Sequence, residues 1–352
     1  MPMKKKMLYI APDHYDFYKV ILKGFQDFTD HSVVMVLSNG YSYHYKNLGE
    51  RCLNFFLKLC FHTNIKKIHS QKVILQKINQ YPTYDIVYVN RPDMLSTELL
   101  ALIAQKATFS IAHYWDSFSK IKGQKETMPY FDIHYSFDQN DCTQYGLHFT
   151  PNFYFTENHS SKPQYDVLFL GTYDYRFTQI KQIIQQLNHQ GKNAKALLFS
   201  KDKNIRKKHT SQKISFLDKI IPFPEIVAHS GNTQIILDIH HRNQSGLSFR
   251  PFEAMGLKKK LITTNPHIKT YDFYNPNNIF IWTNTTLSVP DSFFTTPYTE
   301  IPIAIRQKYT LENWVHSITT IKIFHYDATK NLFYLPRHQS AHRRHQTTLP
   351  TG

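Results

Sequence analysis

Apolar runs of strand length alternate along the chain with stretches whose apolar residues recur every three or four positions. Lys6–Ala11 is such a run, followed by Tyr18, Ile21, Leu22 and Phe25 at helical spacing. Ser32–Leu37 repeats the run, and Leu48–Cys60 has the period of an amphipathic helix. Tyr84–Asn90 reads as a buried strand, and Ser96 is placed to cap a helix that continues to Lys106. Thr108–His113 and Phe131–Phe137 are the next strands, and Asn140–Tyr145 makes a short helix before Gly146. Pro151–Gln164, rich in Asn, Ser and Pro, reads as a linker.

After the linker the alternation restarts. Strands are expected over Asp166–Leu170, Ala194–Ser200, Lys213–Leu217, Thr233–Ile239, Lys260–Thr264 and Ile279–Trp282, and helices over Phe177–His189, Glu225–His229, Phe249–Gly256 and Thr310–Ile321. Strand–helix alternation of this kind builds a mostly parallel sheet. The expected fold class is therefore α/β, with two Rossmann-like, doubly wound domains over residues 1–150 and 165–325, joined by the linker at 151–164 and facing a central cleft. Residues 331–352 are polar, rich in His and Arg and aperiodic, and read as a disordered tail. Ligands of open α/β sheets bind outside the carboxyl ends of the strands, which makes the residues just after each strand the site candidates.

Charge narrows the partners. Of the 352 residues 42 are Lys or Arg and 26 Asp or Glu, a formal net charge of +16. The sequence has no basic region with heptads, zinc-finger spacing or RNA-binding aromatic motif, so nucleic acid is not the expected partner. An anionic membrane surface and phosphate-bearing substrates account for the charge better. No apolar run approaches the length of a membrane span, and the basic start lacks the long apolar stretch and cleavage site of a signal peptide. With Cys52, Cys60 and Cys142 in no metal or disulfide spacing, the expected location is the cytoplasm, at the inner face of the membrane.

The richest stretch runs from Leu237 to Asn278. A buried strand ends in a His-rich loop with His240 and Gly246. A helix carrying Arg250 and Glu253 follows, and then Lys260 opens a strand that ends in Thr263, Thr264 and Asn265. This pattern suits a nucleotide diphosphate: glycine lets the backbone approach, the helix N-terminus offers N–H donors, Arg250 can clamp a phosphate and Glu253 can accept the ribose hydroxyls. The simpler reading is an exposed Arg250–Glu253 pair at i,i+3. A second group, Gly171, Thr172 and Arg176, follows the first strand of the second half and could lie under the phosphates. Asp13, His14, Asp116 and Asp138 are weighed as general bases, and the first three, at the carboxyl ends of first-half strands, are the candidates retained. Asp116 is favoured, because Tyr114 and Trp115 could shield it and raise its pKa.

Gly246-Leu247, Arg250, Glu253, Lys259-Lys260, Leu261–Asn265 and Tyr271–Pro276 together resemble the C-terminal half of GT-B glycosyltransferases from bacterial lipopolysaccharide and capsule loci, especially the CgeB-like group. Tyr114–Ser117, Ser136–Asp138, Tyr145-Gly146, Asp166-Val167 and Gly171-Thr172 extend the likeness over most of the chain. The resemblance implies a donor nucleotide sugar in the second half, with Glu253 on its ribose, and a lipid-linked or oligosaccharide acceptor in the first. The chain departs from the E-x7-E pattern of many retaining members, since Ser245 stands eight positions before Glu253. No Asp-x-Asp follows a strand, so neither a metal nor a cofactor beyond the donor is expected. The reading from another class is a two-lobed ligand-binding protein without catalysis.

Overall fold

A computed structural model describes residues 4–61, 64–156 and 162–320. The tail at 331–352, the last residues of the expected second domain and part of the linker lie outside the described residues.

In the first half β1 (Lys6–Ala11), α1 (Phe17–Phe28), β2 (Ser32–Leu37), α2 (Leu48–Phe61), α3 (Ile65–Ile78), β3 (Tyr84–Asn90), α4 (Thr97–Lys106), β4 (Ala107–Tyr114), β5 (Ile133–Ser136), α5 (Gln139–Tyr145) and β6 (His148–Phe149) follow in order. Their strands form one parallel sheet ordered β2-β1-β3-β4-β5-β6. Met7 to Ala11 of β1 are fully buried, as befits a strand covered on both faces, and Leu8 pairs with Val34 on one side and Val87 on the other. Asp138 caps α5 by accepting from the Asn140 N–H, and Gly146 ends that helix at φ 69°, a conformation glycine takes without strain.

The second half contains β7 (Tyr165–Thr172), α6 (Phe177–His189), β8 (Ala194–Phe199), α7 (Lys203–His209), β9 (Ile214–Leu217), α8 (Phe223–Gly231), β10 (Thr233–Asp238), α9 (Phe249–Gly256), β11 (Lys260–Thr263), β12 (Ile279–Ile281), α10 (Asp291–Thr295), α11 (Ile303–Gln307) and α12 (Leu311–Thr319). Its parallel sheet runs β12-β11-β10-β7-β8-β9. This is the Rossmann order, and it reverses between β7 and β10, where the connections leave to opposite sides and open a crevice. Ile180, Ile184 and Leu187 of α6 close one face of the sheet on Val167, Phe169 and Leu237. The corresponding reversal in the first sheet falls between β1 and β3.

One element departs from the expected division. The sequence assigns the last helix to the second half, but α12 crosses back onto the first. A Cβ on Gly24 of α1 would lie 3.0 Å from Leu311, and the Trp314 ring lies 6.3 Å from Phe25 and 5.6 Å from His113. The chain thus crosses between halves twice, and the crossings are bonded to each other: the Tyr154 N–H donates to the Tyr309 carbonyl and the Leu311 N–H to the Tyr154 carbonyl, both at 2.9 Å.

Candidate active site

The crevice between β7 and β10 holds a cavity of about 220 Å³ lined by Leu170, Ser230, Ser248, Phe249, Arg250 and Glu253, among others. Ser248 caps α9 by accepting from the Arg250 N–H and donates to the Asp238 carboxylate at 2.9 Å. Asp238 ends β10, is buried, and also accepts from the Thr263 hydroxyl at 2.8 Å and from Arg250 Nη1 at 3.4 Å. Arg250 Nη2 donates to the Leu170 carbonyl, and the guanidinium lies 5.0 Å above the Phe169 ring. Burial pulls its pKa down, and the Asp238 charge opposes that. Gly171 leaves the guanidinium its place, since a Cβ there would sit 3.0 Å from Nη2. The exposed Arg250–Glu253 pair is not formed; both side chains face the cavity, and the partner of Arg250 is Asp238. Burial also raises the Glu253 pKa, and its Oε1 is buried with no hydrogen-bond partner.

Other expected donor residues divide between scaffold and site. Thr172 ends β7 at the crevice. Arg176 is held by Asp174 at 2.6 Å and donates to the Ile239 carbonyl at 2.7 Å, which ties the ends of β7 and β10 together. His240 hydrogen-bonds Thr264 through its backbone N–H and through Nδ1, and burial lowers its pKa. Thr263 orients Asp238, while buried Asn265 donates to the Ser245 and Gly246 carbonyls at 3.3 and 3.4 Å. Lys260 is a correction. It opens β11 at the amino edge of the sheet, away from the crevice, where its buried ammonium donates to the Phe293 carbonyl. The apolar run Leu261–Thr263 places Lys260 one strand length from the residues that reach the edge.

Gly246 also has a different task from the one expected. Its N–H and that of Ser245 are taken by Asp138 of the first half, at 3.3 and 2.7 Å, and the Ser245 hydroxyl donates to the same carboxylate. A Cβ at position 246 would lie 2.4 Å from the Phe137 carbonyl oxygen. The glycine therefore lets the second-half loop close on the first half, and its N–H is engaged by Asp138. Ser117 and Ser119 donate to the Asn243 carbonyl and strengthen the same contact.

The three candidate bases meet at the opposing edge. Asp116 is not a shielded, free carboxylate. It is bound by Arg91 at 3.2 Å, by Lys120 and by the Gln244 amide at 3.0 Å, while Tyr114 points into the core and Trp115 stacks on Phe249. The sequence hid this because Arg91 and Gln244 are remote from Asp116 along the chain. The Asp13 N–H donates to the Asn39 side chain at 2.6 Å. His14 keeps solvent contact, yet desolvation, assisted by Arg91, pushes its pKa below the ordinary value. The next two residues, Tyr15 and Asp16, hold φ of 56° and 59°, a left-handed pair that non-glycine residues adopt at some cost. The loop is anchored across the halves: the Tyr15 carbonyl accepts from the Phe223 N–H at 2.6 Å, and Phe17 packs on Phe223 and Phe249 with centroids 4.7 and 4.9 Å away. Phe223 and Phe249 also line the cavity, so the His14 loop touches its wall.

Sequence reasoning missed Asp238 and Arg91. A signal for Asp238 was present: a carboxylate ending the apolar strand TQIILD, followed by a cationic helix. Arg91 gave none beyond following a strand; its left-handed φ of 58° and its contacts with Asp93 and Asp116 emerge only in three dimensions.

No family model and no curated protein matches the chain. Among solved structures it is similar to a glycosyltransferase from Rickettsia africae ESF-5, at 13% identity over 90% of this chain and 97% of that one, with a TM-score of 0.51. It is equally similar to a UDP-N-acetylglucosamine 2-epimerase, at 12% identity over 94% of this chain and 98% of the other, also with a TM-score of 0.51. With two parallel six-stranded sheets, carboxyl edges opposed and α12 returning to the first half, the chain has the GT-B fold.

Proposed function

We propose that the protein is a glycosyltransferase that moves a sugar from a nucleotide-activated donor in the second half to a lipid-linked or oligosaccharide acceptor at the first, in lipopolysaccharide or capsule synthesis at the inner membrane face. One observation carries this reading: Glu253 presents a buried, unpartnered carboxylate oxygen at the cavity of the β7/β10 reversal. A buried acceptor without a donor is costly unless a ligand supplies one, and vicinal ribose hydroxyls do so. Arg250 and the N-terminus of α9 lie on the same wall, where charge develops on the departing diphosphate. Across the cleft, His14 takes the acceptor hydroxyl proton. Asp116 fixes Arg91, Lys120 and the Gln244 loop.

The epimerase with the same fold also acts on a nucleotide sugar, so the decisive experiment reads both donor binding and its products. Purified protein with a panel of nucleotide sugars is expected to show a thermal shift with one donor and to release its nucleotide when acceptor is present. Glu253→Ala is expected to weaken that donor about tenfold or more while the melting temperature without ligand stays within a few degrees. Unchanged donor affinity in the variant removes the pocket assignment, and epimerised donor without nucleotide transfer replaces the proposed reaction.

We further propose that no divalent metal takes part, the diphosphate being neutralised by Arg250 and helix N–H groups. Turnover is then expected to persist in EDTA. Loss on chelation, restored by magnesium or manganese, contradicts this.

A further inference from the structure

Leu48, Leu53, Phe55, Phe56, Leu59 and Phe61 stand between 54% and 76% exposed on α2, and the residue that helix buries is Asn54, whose side-chain oxygen accepts from the Ile65 N–H. A helix lying on a soluble core turns its apolar face inward, and α2 does the reverse. At 100° per residue, Phe55, Leu48, Leu59, Phe56 and Leu53 fall within one arc of about 160°, bordered on the Phe55 side by Arg51 and Lys58. From Leu48 to Ile78 the cations are Arg51, Lys58, Lys66, Lys67, Lys72 and Lys77, against the one acid Glu50, which is itself engaged by Tyr43 and the Lys46 N–H. Lys66 and Lys67 are exposed in the first turn of α3, which follows α2 in the chain.

We propose that α2 is the element by which this protein docks on an anionic bilayer, with its apolar arc entering the headgroup–acyl boundary and the flanking cations resting on lipid phosphates. Buried apolar area and attraction to anionic lipid add in such helices. A second copy of the chain is the poorer occupant, because self-association through α2 would bring two cationic surfaces together. The inference deepens the membrane placement proposed above. The segment that enters α2 leaves the carboxyl edge beside the candidate base: Asn39 holds the Asp13 N–H, and a Cβ on Gly40 would lie 3.6 Å from that of Asp13. A lipid-linked acceptor lying in the bilayer would arrive next to His14.

The full chain is sedimented with vesicles of phosphatidylethanolamine and phosphatidylglycerol, and in parallel with phosphatidylcholine vesicles. Strong binding is expected to the first and weak binding to the second, with salt weakening it. F55S/F56S/L59S is expected to lower partitioning about tenfold or more. K66E/K67E is expected to lower it severalfold and to flatten the salt dependence. Both variants change exposed positions, so the melting temperature is expected to hold. Failure of the wild type to bind anionic vesicles, or equal binding by the triple variant, overturns the proposal. So does self-association in the absence of vesicles that the triple variant abolishes. Donor affinity measured on the same samples separates the two readings, because lost vesicle binding with intact donor binding touches α2 alone, and the reverse touches the Glu253 cavity alone.

Discussion

His14→Ala is expected to lower turnover by about 10²–10⁴-fold while leaving donor affinity unchanged. The imidazole follows β1 on a loop braced by a left-handed pair and bonded to the wall of the β7/β10 cavity, so its place is fixed in the free protein. Its folded pKa lies below the ordinary histidine value, chiefly through desolvation and next through Arg91. The neutral, proton-accepting form therefore prevails above that lowered pKa, and kcat/KM should rise with pH through it and level off before the usual histidine range is passed. Asp13→Asn is expected to have a small effect. Asp116→Asn should act through the Arg91–Lys120–Gln244 contacts, raising KM more than it lowers kcat. Full turnover in His14→Ala removes it as base, and a pH limb that survives the substitution points to another group.

The largest effect on stability is expected at Asp238. Replacing it with alanine leaves the half-buried Arg250 without its counter-charge and the Ser248 and Thr263 hydroxyls without their acceptor. Breaking a fully buried ion pair from one side costs about 3–5 kcal/mol because the remaining charge stays desolvated, and the partial exposure of Arg250 places this case toward the lower end of that range. Thermal unfolding of Asp238→Ala should show the loss in the second half. Arg250→Met alone should cost less, since its carboxylate partner keeps two hydroxyl donors. The double variant should recover part of the loss suffered by Asp238→Ala. A cost below about 1 kcal/mol for Asp238→Ala, or strictly additive single costs, would mean that the network does not hold this edge together.

The fold was legible because both sheets are built from strands covered on two faces, whose continuous apolar runs stand out from any helix period. Lys6–Ala11 and Tyr84–Asn90 match their observed strands residue for residue. Missing from the reading were α3, whose polar and apolar residues mix around the helix, the short helices α7, α10 and α11, and the two-residue β6. The site was legible by chain order more than by role. Arg250 and Glu253 do reach one cavity, yet the partners of Arg250 come from β7 and β10, which no local pattern connects. Gly246 was marked correctly as a place needing room, but the neighbour requiring it is Phe137, more than a hundred positions earlier. Lys260 misled because a lysine beside a phosphate-like motif looks the same at either end of its strand.

The two neighbouring crossings at Tyr154 and Thr310 set the terms on which such a chain can be recombined. Because α12 seals Phe25, Tyr88 and His113 of the first half, the second half cannot be exchanged with a single splice in the connector. A transplant needs two junctions, made at residues that already lie side by side, so that the inserted module begins and ends at one point and the host keeps its closing helix. In this architecture the second half is separable as a cassette, and the nine residues of α12 travel with the first half.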